Sequence, residues 1–64
     1  MKIYDVRIEY TVGKITSIGL YTDKETAISA IKAEEPYMER RAYVVERELN
    51  KFEIDGKVVY RIIK

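Results

Sequence analysis

The chain reads as a small α+β domain, a four-stranded, mainly antiparallel sheet in the order ββαββ with one helix packed on one face. Three observations predict it. Tyr4, Val6, Ile8, Tyr10 and Val12 recur at every second residue, with Asp5, Arg7, Glu9 and Thr11 between them, which is the period of a half-buried strand. A helix-start pattern follows at Thr22-Asp23-Lys24-Glu25 and leads into a narrow apolar stripe. A second pair of apolar, β-branched stretches closes the chain, separated by Asp55-Gly56.

The first strand is expected from Lys2 to Val12, and the Gly13-Lys14 pair turns the chain into a second strand from Ile15 to Tyr21. A two-residue loop there sets Ile8 opposite Gly19 and wastes the apolar face. A slip of one residue sets Ile8 opposite Ile18 and Val6 opposite Leu20, so a three-residue loop or a bulge is expected near Gly13. In the helix, the Thr22 hydroxyl and the Glu25 carboxylate would cap reciprocally, Ala27, Ile28, Ala30 and Ile31 would face the sheet, and Pro36 would end the element. Ala42 to Leu49 reads as the third strand and Lys57 to Ile63 as the fourth. A type I′ turn at Asp55-Gly56 would place Phe52 opposite Val59 and Leu49 opposite Ile62. If the strands alternate in direction, the order 2-1-3-4 is wholly antiparallel.

Sixty-four residues make one domain, 1 to 64, with no linker, repeat or low-complexity segment. So small a core supplies only about 3 to 5 kcal/mol, and such domains usually add a disulfide, a metal or a partner. The chain has no Cys and no His, which excludes disulfides and disfavours a structural zinc site, so a partner is what remains. Twelve basic against eleven acidic residues, net +1, give no global field toward nucleic acid or an anionic membrane. No apolar run is long enough to cross a bilayer and the start lacks a signal-peptide core, so a cytoplasmic protein is expected.

Catalytic chemistry finds little to work with. His, Cys and Trp are all absent, and the acidic pairs Glu34-Glu35 and Glu46/Glu48 read as a helix end and a solvated strand face. Asp55 sits in a turn without an oxygen-rich calcium loop, and Gly13, Gly19 and Gly56 are too scattered to cradle a phosphate. No enzyme, cofactor or metal is expected. Strand 4 is different, because Val58, Val59, Tyr60, Ile62 and Ile63 make it apolar on both faces, while one helix covers only one. Val58, Tyr60, Ile62, Arg47 and Leu49 are therefore the candidate protein-contact residues, for a foreign partner or for a second copy in a homodimer. The alternative is a nucleic-acid module in which Tyr43 and Tyr60 stack on bases and Arg40, Arg41, Arg47 and Arg61 meet phosphates. Interleaved Glu39, Glu46, Glu48 and Glu53 weaken that field.

Three stretches carry a resemblance. Tyr4 to Tyr10, the segment Ile18-Gly19-Leu20-Tyr21-Thr22-Asp23-Lys24-Glu25-Thr26-Ala27, and Tyr43-Val44-Val45-Glu46-Arg47-Glu48-Leu49 resemble a family of small uncharacterised ββαβ(β) domains from phage and bacterial genomes. The resemblance covers about two thirds of the chain, and the hairpin around Asp55-Gly56 extends the usual pattern. It implies a phage or mobile-element accessory protein that acts in the host cytoplasm. Such a protein would bind and inhibit or modulate a host protein such as a defence nuclease, in the manner of an anti-CRISPR inhibitor. It implies no catalytic residues.

Overall fold

The computed structural model describes residues 1–48 and 56–64. Strands β1 (Lys2–Thr11), β2 (Lys14–Tyr21), β3 (Arg41–Glu48) and β4 (Lys57–Ile63) form one antiparallel sheet in the order β2-β1-β3-β4. Helix α1 (Lys24–Glu34) crosses one face, mainly over β1, on its way from β2 to β3. The fold is the one expected, and the strand order, which the sequence left open, is the wholly antiparallel one.

The core lies between α1 and the even-numbered side of β1. Val6 and Ile8, paired with Val44 and Ala42 of β3, meet Ala27 and Ile31 of the helix, and Met38 closes one end. Ala27 keeps the helix backbone close to the sheet, while Ile31, fully covered, supplies about 1.5 to 3 kcal/mol of apolar burial. Tyr4, Tyr10, Tyr21 and Tyr60, each partly buried, pack around this cluster.

Three bulges set the registers. Thr11 pairs with Lys14 around a two-residue Val12-Gly13 turn, and Gly13 has φ +82°, a left-handed value that a side chain would strain. Tyr10 has no partner on β2, so the bulge expected near Gly13 is present, but on the β1 side of the turn. A second bulge leaves Ile18 unpaired between Ser17 and Gly19. The expected pairs are corrected accordingly: Ile8 faces Thr16, Val6 faces Gly19, and Leu20 lies opposite Asp5. The apolar shortfall at Gly19 is made up by the Tyr21 ring, which lies against it.

The third bulge is at Val59, since Val44 pairs with Tyr60 and Val45 with Val58. Ile62 pairs with Ala42, not with Leu49, and Val59 has no partner, so the tight hairpin expected at Asp55-Gly56 does not form in that register. Leu49, Phe52, Ile54 and Asp55 lie outside the described residues. Gly56 is not in the left-handed region a type I′ turn needs. It serves close approach, because a Cβ there would stand 2.5 Å from Val45 Cγ1 and 2.7 Å from the Glu46 carbonyl oxygen.

The helix begins one residue later than expected. Asp23 is the N-cap, its carboxylate accepting from the Thr26 backbone N–H at 3.0 Å and from the Thr26 hydroxyl at 2.8 Å. Pro36 sits in a single 3-10 turn, Glu35–Tyr37, that follows the α-helix. No helix among the described residues is long and apolar enough to cross a membrane.

Candidate functional site: the sheet face opposite the helix

Odd-numbered residues of β1 and β3 look away from α1, and the antiparallel register stacks them into rows. Asp5 lies beside Val45 and Leu20, and Val45 beside Val58. Arg7 lies beside Tyr43 and Ser17, and Tyr43 beside Arg61. Among the described residues no helix or strand covers this face.

Alternation in β1 suggested that Asp5 and Glu9 would face water, and the structure corrects this. Asp5 is 4% and Glu9 0% exposed. The cause is a layer of arginines laid over them, whose guanidinium groups bond to the carboxylates beneath and screen them from water. Asp5 accepts from Arg7 Nε at 2.9 Å and from the Ser17 hydroxyl at 2.6 Å, and Arg47 Nε stands 3.8 Å away. Glu9 accepts from Arg40 Nε at 3.1 Å, Arg40 Nη2 at 3.2 Å and the Gly13 N–H at 3.0 Å. Arg41 Nε, buried and without a hydrogen-bond partner, lies 3.7 Å from the same carboxylate.

These contacts have an electrostatic consequence. The hydrogen-bonded Arg40 guanidinium holds the Glu9 carboxyl below the usual carboxylate range; burial opposes it, and the Gly13 N–H and the charges of Arg40 and Arg41 add to it. On the helix side, Lys2, with Nζ 3.2 Å from Glu46, likewise holds that carboxyl low. Burial, and then the hydrogen bond its hydroxyl donates to Glu34, pushes the Tyr10 phenol up to about 12. Glu34 and Glu46 are thus tied into structural pairs, and Glu48 stands 3.6 Å from the N-terminal amine.

Between the charged rows lies a groove of about 390 Å³, lined by Ile15, Ser17, Arg7, Tyr43, Val45 and Val58. It crosses the sheet from β2 to β4. Ile15, Leu20, Val58 and Ile63 are large apolar side chains left 41%, 63%, 41% and 64% exposed around it. By register those four face the same way, Ile15 and Leu20 along the β2 margin of the face and Val58 and Ile63 along the β4 margin.

The residues singled out from the sequence divide between two faces. Val58 and Arg47 belong to the open face, whereas Tyr60 and Ile62 pack toward the core, and Lys32 Nζ sits 6.0 Å from the centre of the Tyr60 ring. The bulge at Val59 makes this split. Of the nucleic-acid set, Arg41, Tyr43, Arg47 and Arg61 share the open face, Arg40 is tied to Glu9, and Tyr60 is on the other side. Sequence reasoning missed Arg7, Ile15 and Leu20. The signal that could have found Arg7 is the matched parity of 3, 5, 7 and 9 with 41, 43, 45 and 47, which puts the acids and arginines of β1 and β3 on one face; Ile15 and Leu20 depend on the bulged β2 register.

Chemically, the described part of the face offers apolar surface, the Tyr43 ring, the exposed Ser17 hydroxyl bonded to Asp5, and several guanidinium groups. Among the described residues no group of three or more Asp or Glu side chains is placed to hold a metal ion. No family model, no curated protein and no solved structure matches the chain.

Proposed function

We propose that the chain is a non-enzymatic protein-interaction module whose working surface is the sheet face opposite α1. The observation that carries this reading is the groove flanked by Ile15, Leu20, Val58 and Ile63, set among arginines and Tyr43 on a face that no described helix or strand covers. Tyrosine and arginine beside desolvated apolar side chains are the composition of binding anchors. The setting proposed with it is that implied by the resemblance: a cytoplasmic accessory protein that binds and modulates a host protein.

Co-purification from a bacterial lysate tests it, comparing the chain with its Leu20→Asp/Val58→Asp variant. Both substitutions are at exposed positions, so the variant should keep its far-UV circular dichroism. A stoichiometric companion held by the parent and lost by the variant is expected, and identical behaviour of the two would remove the face from consideration. A second reading, nucleic-acid binding, is favoured by one observation, the convergence of Arg41, Tyr43, Arg47 and Arg61 on this face. It predicts an oligonucleotide mobility shift at low salt that fades steeply as salt rises.

A further inference from the structure

Which chemistry this groove accepts can be read from the order of its lining. Ile15 stands at the β2 end, Val45 and Val58 at the β3 and β4 end, and Arg7 between them. Arg7 gives only Nε to Asp5 and is 44% exposed, so the terminal N–H donors of its fork are available to an acceptor above the sheet. Arg61, exposed and one strand beyond Tyr43, has no carboxylate within ion-pairing reach among the described residues. Both carboxylates of the face, Asp5 and Glu9, are underneath. A visitor therefore meets cationic heads and apolar side chains, and no exposed anion among the open-face strand residues.

Resting on the interaction reading above, we propose that the groove receives an acidic segment of a partner protein. Large apolar side chains of that segment seat against Ile15 and against Val45 and Val58, and a carboxylate between them pairs with Arg7 and Arg61. Charge complementarity selects this occupant over the alternatives. A second copy docked isologously would set this cationic face against an identical one, with no exposed anion among the open-face strand residues to meet its arginines. A nucleic-acid strand wants an unbroken basic track with stacking rings, whereas this groove interrupts its arginines with Ile15, Val45 and Val58 and offers Tyr43 alone.

The probe is a displayed library of random linear dodecapeptides, selected on the immobilised full chain and counter-selected on the Val58→Asp variant. The expected consensus carries Asp or Glu within two positions of large apolar residues. A synthetic peptide of that consensus should lose about tenfold in affinity against Arg61→Glu and weaken as ionic strength rises from about 0.05 to 0.5 M. Arg61 makes no ion pair among the described residues, and an unchanged far-UV circular dichroism spectrum of the variant would separate an effect on binding from one on folding. A consensus without acids, a basic consensus, or a labelled oligonucleotide that binds more tightly than the peptide would each overturn the proposal. An acid-free consensus still blocked by Val58→Asp would overturn the partner chemistry and leave the interaction reading standing. No selectable peptide, together with lysate co-purification indifferent to Leu20→Asp/Val58→Asp, would sink both.

Discussion

Glu9 is a junction of the described fold. Fully covered, it ties the Val12-Gly13 turn to Arg40 and Arg41 through one carboxylate, and its backbone carbonyl accepts from the Glu39 N–H at 2.7 Å. Because its folded pKa is depressed, as is that of Glu46, each contributes stability that is present above the unfolded value of about 4.3 and lost as pH falls through the folded value. Acid unfolding followed by circular dichroism should therefore begin below about pH 4. Glu9→Gln should lower the urea midpoint at neutral pH and flatten the acid limb, since the amide cannot titrate and Arg40 and Arg41 lose their counter-charge. A variant indistinguishable from the parent at both pH values would show that the arginine layer does not depend on Glu9. Nothing in the local pattern of β1 announces this role. Glu9 occupies a water-facing position by period, and only the pairing with β3 reveals what lies over it.

At the scale of elements, the strands were legible and their pairings less so. Period-two alternation in β1 and the β-branched run of β4 locate strands whatever their neighbours, because side-chain direction is a local property. Registers depend on where an extra residue is accommodated, and the bulges at Tyr10, Ile18 and Val59 are settled by packing between strands. That is why Leu20 was expected in the core and lies outside, and why Tyr60 and Ile62 part company with Val58. The helix start was displaced for a related reason, as Thr22 and Asp23 both suit an N-cap and Asp23 has Thr26 to serve as a double donor. Asp23→Ala should cost about 1 kcal/mol in denaturant unfolding, whereas Thr22→Ala should change it by only a few tenths. The reverse order would restore the capping box read from the sequence.

Taken as a whole, the molecule is a thin slab, 32 × 22 × 15 Å, and among the described residues the sheet face opposite α1 is overlaid by side chains rather than by a second element. An arginine layer over buried acids is part of that overlay, and the apolar remainder is what the proposed partner would cover. Light scattering after size exclusion should give a monomer mass across dilution, because the cationic heads discourage self-pairing through this face. A dimer that dissociates on Val58→Asp would instead assign the face to a second copy. The bulges at Ile18 and Val59 add something about the outline of the slab. They fall on β2 and β4, the two outermost strands, one on each. A bulge kinks and overtwists the rim that carries it, so neither margin offers the straight ladder of amide and carbonyl groups on which a foreign strand could be laid. A chain so rich in β-structure is in this way guarded at both margins against open-ended fibre growth.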